Sequence, residues 1–273
     1  MIIELNKVYN LNCLDLMKEM EDEFVDVTIT SPPYFNIKQY DNFNFWNTYD
    51  DYLNSNKKWF KELFRITKRG GYVFWNIIEN LSNVTKEGRC DLPLLADVIK
   101  IATNVGFVWE NQIIWQKNNG TQMFGSYPYP TTPIFKHKKE SILVFRKLGK
   151  RDISREEKEN CKLSKKRWFE IAEDIWNIAT ESATRIGHPA PFPIEIPKRL
   201  IEISTVHSSI VFDPFCGSGT TACACKDLNR NFITCDTSTQ YCDLAMNRLN
   251  KHNSNVSIFD IIKEAQNETD SDR

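Results

Sequence analysis

The sequence predicts an α/β protein with a doubly wound, mostly parallel sheet, and three observations carry that prediction. Two apolar runs of strand length, Phe24-Val25-Asp26-Val27-Thr28-Ile29-Thr30 and Ser209-Ile210-Val211-Phe212, stop abruptly at Ser31-Pro32 and at Asp213-Pro214. The second run leads through the glycine turn Gly217-Ser218-Gly219 into a helix starting near Thr221, the strand-loop-helix pattern of a nucleotide site. A further strand, Asn231-Phe232-Ile233-Thr234-Cys235, closes on Asp236, nineteen residues after Gly217. Open sheets of this class do their chemistry beyond the carboxyl ends of the strands, so these three ends are the first places to look for a site.

Ser31-Pro32-Pro33-Tyr34 is the first of them. Consecutive prolines fix two φ angles and remove two backbone donors while leaving their carbonyls as acceptors. The result is an acceptor-rich corner beside a tyrosine ring, which suits a planar substrate bearing an amino group, such as a nucleobase. Taken alone, the tetrapeptide is also compatible with an ordinary Pro-Pro loop. The segment 35–46 that follows is rich in aromatic residues and asparagine; Phe43, Phe45 and Trp46 either form a lid that stacks on a base or pack under a helix read from Tyr49 to Thr67. Gln112-Ile113-Ile114-Trp115 reads as another strand, followed by a polar, turn-rich loop in which Lys117 is either a phosphate contact or a solvated lysine.

The glycine turn is the second end. It lacks the third glycine of a dinucleotide fingerprint and the Gly-Lys-Ser/Thr of a phosphate loop, which implies a nucleoside ligand without phosphates. Asp213 sits where its strand runs out, and Asp236 stands where a ribose diol would be held.

Present in one chain, Ser31-Pro32-Pro33-Tyr34 and Asp213-Pro214-Phe215-Cys216-Gly217-Ser218-Gly219-Thr220-Thr221 resemble the motifs of the amino-directed DNA methyltransferases. That family moves the methyl of S-adenosylmethionine to the exocyclic nitrogen of cytosine or adenine. Here the catalytic motif precedes the cofactor motif, the circularly permuted order of its β group. Cytosine carbon-5 enzymes need a Pro-Cys nucleophile, and the chain has no Pro-Cys dipeptide. The resemblance extends over most of residues 8 to 250, through Asn12-Cys13-Leu14 (where the family usually has Asp-Cys), Phe64 to Phe74, Glu140 to Lys147 and His188 to Pro193. It implies a Rossmann-like methyltransferase fold with its catalytic part at 1–147, a basic target-recognition insertion at 148–186, a cofactor-binding part at 187–260 and a polar tail at 261–273.

It also implies roles. Ser31, Pro32, Pro33 and Tyr34 would be catalytic, holding and stacking a base flipped out of the duplex. Asp213 would engage the methionine ammonium of S-adenosylmethionine, with Pro214, Phe215, Gly217, Ser218, Gly219 and Thr220 forming its loop. Asp236 would hold the ribose, and Asn12, Cys13, His188 and Phe192 would add further cofactor contacts. Serine at the first motif position is commoner in enzymes acting on cytosine N4, which makes cytosine the expected base and adenine N6 the alternative. From another class, a DNA-binding module that kept the fold and lost turnover is the competing reading. Double-stranded DNA is the implied substrate, and a cognate restriction endonuclease and a homodimer are the implied partners.

Composition agrees. A chain of 273 residues with 41% hydrophobic residues can bury one large α/β core. It shows no signal stretch and no run near the roughly 20 apolar residues that span a bilayer, so a cytoplasmic protein is expected. The eight cysteines form no CxxC pair, and most are read as small buried residues; the four histidines have no metal-ligand spacing, so no metal site is expected. Residues 136 to 167 hold thirteen Lys or Arg against five Asp or Glu, a local +8 in a chain of net −1. Lys136, Lys138, Lys139, Lys165, Lys166 and Arg167 are therefore candidate phosphate contacts along with Lys117. The competing reading is a solvated, capped helix, because Ser154-Arg155-Glu156-Glu157 is a capping box.

Overall fold

The computed structural model describes residues 2–35, 46–85, 88–117, 138–181 and 192–252. In chain order these form β1 (Lys7–Asn10), α1 (Cys13–Glu19), β2 (Val25–Thr30), α2 (Tyr49–Ile66) and β3 (Thr67–Ile77). A hairpin of β4 (Leu81–Thr85) and β5 (Gly88–Leu92) leads to α3 (Leu94–Val105), β6 (Val108–Gln116) and β7 (Lys139–Arg146). Next come α4 (Arg155–Asn160), α5 (Lys165–Ile171), β8 (Ile175–Asn177), α6 (Glu195–Ser204), β9 (Ile210–Asp213), α7 (Thr220–Asp227), β10 (Asn231–Asp236) and α8 (Thr239–His252).

Eight strands make one sheet in the order β1-β10-β9-β2-β3-β7-β6-β8. Neighbours run parallel except where β7 lies antiparallel between β3 and β6. The expected doubly wound, mostly parallel sheet is therefore present. Winding reverses in its middle: β2 passes through α2 to β3 on one side, and β9 passes through α7 to β10 on the other. Val27 pairs with Val211 and Thr28 with Phe212, so the carboxyl ends of β2 and β9 are adjacent at the topological switch point.

All six residues of β2 are buried, as a central strand covered on both faces requires. On one face Trp75, Ile77, Phe212 and Ile233 join Leu16, Phe60, Leu63 and Val98 from α1, α2 and α3. On the other, Val27, Ile29, Phe74 and Val211 join Ile196, Leu200 and Cys225 from α6 and α7. A capping box between Thr48 and Asp51 starts α2. The Gly-Gly turn opening β3 is needed for close approach, since a Cβ on Gly71 would lie 2.6 Å from the Asp26 carbonyl oxygen.

The segment read as a target-recognition insertion contributes a strand to this sheet. Its α5 leads into β8, which extends the sheet beside β6 with Ile114 opposite Ile175. The capping box at Ser154 and Glu157 is present at the start of α4. All eight cysteines are free thiols, and six of them are buried. Among the described residues no cluster of His, Cys, Asp and Glu could hold a metal, and no helix is long and apolar enough to cross a membrane.

Candidate active site

Two clusters of polar side chains adjoin at the switch point. The first surrounds the glycine turn. Asp236, at the end of β10, accepts hydrogen bonds from the Gly217 N–H and the Ser238 N–H, each at 3.0 Å. Its carbonyl accepts from Asn10 Nδ2 at the end of β1 (3.1 Å), which draws the β1–α1 junction to the same place. Asn12 caps α1, its Oδ1 accepting the Leu14 N–H at 2.9 Å, and the next residue, Cys13, is buried enough for its thiol to be pushed up to about 12. Behind the turn, Arg248 on α8 donates to the Ser218 carbonyl (2.6 Å), Ser218 Oγ (2.7 Å) and Thr220 Oγ1 (3.2 Å). Gly219 has φ +75°, and a Cβ there would lie 2.7 Å from Ala245 Cβ, so its missing side chain serves the contact between α7 and α8.

Asp213 is 5% exposed. Burial pushes its carboxyl up to about 6, against hydrogen bonds from Thr30, Thr221 and the Phe215 N–H that favour the charged form. This turn thus combines two carboxylates with a glycine bend, while its guanidinium is committed to bracing the loop. That set of acceptors fits a nucleoside carrying hydroxyls and an ammonium.

The second cluster surrounds the Ser31-Pro32-Pro33-Tyr34 corner and draws on four strands. Asn76 in β3, 2% exposed, donates from Nδ2 to Glu140 Oε2 (2.6 Å) and to Ser31 Oγ (3.2 Å). Tyr34 Oη lies 3.4 Å from Ser31 Oγ and 3.4 Å from Glu140 Oε2. The other oxygen of Glu140, at the start of β7, pairs with Lys117 just past β6, whose ammonium stands over the Trp115 ring at 4.7 Å.

One bond joins the clusters. Thr30, the last residue of β2, donates from Oγ1 to Asp213 Oδ1 at 2.7 Å, and both residues are buried. A wall of aromatic rings backs this seam: Phe215 meets Trp59 edge-on at 4.9 Å, and Trp59 in turn meets Trp46 at 6.1 Å. Trp46 also donates its Nε1 proton to Ser55 Oγ (2.8 Å), and Phe35 lies 5.9 Å from Tyr49. Of the two readings for the aromatic segment, packing under α2 therefore holds for Trp46, while Phe43 and Phe45 lie outside the described residues.

The remaining sequence-derived candidates disperse. Phe192 meets Trp115 of β6 edge-on at 6.2 Å. Lys138, Lys165 and Lys166 are exposed. Lys139 pairs with Glu79 at 2.8 Å. Arg167 pairs with Glu170 (3.1 Å), Glu195 (3.2 Å) and Glu202 (2.6 Å), which raises its pKa although partial burial opposes the charge. These contacts give Arg167 the structural task of fastening α5 to α6. His188 and Lys136 lie outside the described residues. Sequence reasoning missed Thr30, Asn76, Glu140 and Arg248 as site residues. The available signal was a polar residue at the edge of, or inside, an apolar strand: Asn76 interrupts Val73-Phe74-Trp75 and Ile77, and Glu140 precedes Ser141-Ile142-Leu143-Val144.

An open, doubly wound sheet with two joined polar clusters at its switch point defines a Rossmann-like α/β fold. The chain belongs to the N6/N4 DNA methylase family, whose model matches residues 25–247. It is similar to the Type II methyltransferase M.MjaI of Methanocaldococcus jannaschii, 30% identical over 262 residues covering 80% of this chain and 82% of the relative. The Type II methyltransferase M1.MboII of Moraxella bovis is 25% identical over 92% of this chain and 98% of its own. Among solved structures, a DNA modification methylase of Thermus thermophilus, TTHA0409, complexed with S-adenosyl-L-methionine, superposes with a TM-score of 0.75 at 25% identity, over 90% of this chain and 93% of that one. The cytosine-N4-specific PvuII DNA methyltransferase shares the fold at a TM-score of 0.65 and 19% identity, over 88% and 84%.

Proposed function

We propose that this chain is a site-specific Type II methyltransferase that methylates N4 of a cytosine flipped out of duplex DNA. The broader statement stands on its own: it is an amino-directed DNA methyltransferase that uses S-adenosylmethionine, as its family match and its relatives in restriction-modification systems establish. The observation that supports the reading is the Thr30–Asp213 hydrogen bond, which joins the strand leading to Ser31-Tyr34 to the strand leading to the Gly217-Gly219 turn.

When bound, S-adenosylmethionine supplies an electrophilic methyl group. The protein's own residues do the rest by alignment. Asp213 meets the ammonium of the methionine moiety, and Asp236, oriented by two N–H donors, accepts from the ribose hydroxyls. Ser31 Oγ and the Pro32 carbonyl accept the two hydrogens of the exocyclic amine. Tyr34 stacks on the base and offsets much of the few kcal/mol that extrusion costs, since stacking contributes about 1–3 kcal/mol per base. Serine at position 31 supports cytosine as the target. Exposed Lys165 and Lys166 on α5 supply phosphate contacts.

Incubation with unmethylated genomic DNA and methyl-labelled S-adenosylmethionine, followed by nucleoside mass spectrometry, tests the proposal. N4-methylcytosine is the expected product. N6-methyladenine would keep the mechanism and overturn the base, and absence of either from protein that binds the cofactor would favour an inactive DNA-binding module.

A further inference from the structure

We infer that Glu140 is the proton acceptor of the Ser31-Tyr34 corner, receiving through Tyr34 the proton that the target amine sheds. The inference rests on the assignment of Ser31 and Tyr34 to the base. It follows from an inventory of hydrogens. Asn76 Nδ2 has two, and its nearer acceptors are Glu140 Oε2 (2.6 Å) and Ser31 Oγ (3.2 Å), with Tyr34 Oη at 3.4 Å. With an N–H directed at Ser31 Oγ, the serine's own hydrogen turns away from Asn76, and Tyr34 Oη is its neighbour at 3.4 Å. The phenol hydrogen in turn has two acceptors at 3.4 Å, Glu140 Oε2 and the Asn76 carbonyl. A path of hydrogen bonds thus runs from Ser31 through Tyr34 to one carboxylate, and Ser31 keeps a lone pair for the amine. The two 3.4 Å contacts are of the kind that tighten only when substrate is bound.

The chemistry needs such a terminus. As the nitrogen–methyl bond forms, the carbon–sulfur pair stays on sulfur and the nitrogen gains a positive charge. One N–H bond must then break, its electron pair remaining on nitrogen. The proton passes to Ser31 Oγ while the serine proton moves to Tyr34 Oη and the phenol proton moves to Glu140, which ends as a carboxylic acid. A neutral serine cannot hold that proton alone, so the base is supplied from β7. Groups facing this carboxylate are Lys117 from the end of β6, Asn76 from β3 and Tyr34 from the corner. The adjacent pair of Glu79 and Lys139, with Ser141 and Gln112 donating to Glu79, lies beside it.

Single-turnover methylation at saturating S-adenosylmethionine separates this role from a structural one, using wild type, Ser31→Ala, Glu140→Gln, Glu140→Asp and Tyr34→Phe. Thermal melting, cofactor affinity and the fluorescence of a base analogue at the target position are measured alongside. Glu140→Gln is expected to slow methyl transfer about 100-fold, with cofactor affinity and base-analogue fluorescence unchanged, and Glu140→Asp, which keeps a carboxylate, to recover part of the rate. Tyr34→Phe keeps the ring and removes the hydroxyl, so it is expected to lose rate while base-analogue fluorescence holds. A wild-type rate in folded Glu140→Gln would overturn the inference. Should that variant fail to fold, a wild-type rate in Tyr34→Phe overturns it instead. Loss of activity in Ser31→Ala with a normal Glu140→Gln would refute the proton role alone, whereas a fully active Ser31→Ala would refute the base assignment beneath it.

Discussion

The two halves of the site lie on the same edge of the same sheet but are built differently. On the cofactor side, contacts run largely between neighbours in sequence or between backbone and carboxylate: Phe215 N–H to Asp213, Ser238 N–H to Asp236, and Gly217 N–H to Asp236 nineteen residues on. On the base side, side chains meet across 45, 64 and 106 residues, from Ser31 to Asn76, Asn76 to Glu140 and Tyr34 to Glu140. A binding turn can be preformed by its own backbone. A catalytic corner needs strands from several parts of the chain in register before its groups assemble.

If that contrast is functional, the halves should fail separately, and the largest effects come from crossing them. Asp236→Ala is expected to weaken cofactor affinity about 100-fold, the upper end for losing hydrogen bonds to a charged group, without changing which base is modified. Isothermal calorimetry reads it, and an unchanged affinity would remove Asp236 from the ribose. Tyr34→Ala should do the reverse, slowing transfer on duplex DNA by roughly 10- to 100-fold through lost stacking, together with the loss of the hydroxyl between Ser31 and Glu140, while cofactor affinity holds. Normal turnover in that variant would refute the stacking role.

A pH series sharpens the comparison, because Asp213 links cofactor binding to fold stability with opposite signs. Its carboxyl is pushed up to about 6 by burial, above the ordinary value of 3.8, so ionising it costs the folded protein. Its contribution to stability is full below 3.8 and is lost as pH rises through about 6, an effect on the order of 3 kcal/mol. Cofactor affinity needs the charged form, so it should fall about tenfold per pH unit below 6 and level off above it. Melting curves and calorimetry over the same range would show both trends, and parallel trends would contradict the assignment.

The seam is the one place where both halves should respond. Thr30→Val removes the hydroxyl that donates to Asp213 and keeps the side chain's shape, leaving a buried carboxylate short of a partner. A loss of about 1–3 kcal/mol in stability is expected, with the midpoint for cofactor affinity moved to higher pH. Denaturant titration and the same calorimetric series measure it. A change confined to stability would mean that the seam holds the fold without tuning the cofactor turn.

The contrast also explains what was legible in the sequence. Local backbone chemistry writes itself into contiguous residues, so the glycine turn, Asp213, Asp236 and the Pro-Pro corner could be read directly, as could the parallel sheet that carries them. Thr30 is hidden because threonine is an ordinary β-strand residue, and its partner lies 183 residues away. Asn76 and Glu140 acquire meaning only when β3 and β7 pair antiparallel and bring Asn76 opposite Ile142. The density of basic residues at 136–167 is legible in the sequence, but a count of charges does not show which are already paired. Arg146, Lys147 and Arg167 pair with Glu110, Glu23 and Glu202, whereas Lys165 and Lys166 are exposed.

That last distinction yields the smallest and most discriminating prediction. Lys165, Lys166 and Arg167 are consecutive and all cationic, so a purely electrostatic view treats them alike. The structure separates them. Arg167→Ala should lower stability by about 1 kcal/mol, because Glu195 and Glu202 lose a shared partner at a partly buried joint, and should leave the salt dependence of DNA binding unchanged. Lys165→Ala and Lys166→Ala should leave melting unchanged, weaken DNA binding a few-fold, and each lower the salt slope by about 0.9 if each neutralises one phosphate. Binding isotherms at several salt concentrations decide between them. Equal slopes for all three variants would show that α5 senses DNA only through its summed charge; a deficit confined to the lysines would show that pairing with the carboxylates of α5 and α6 has removed Arg167 from the DNA surface.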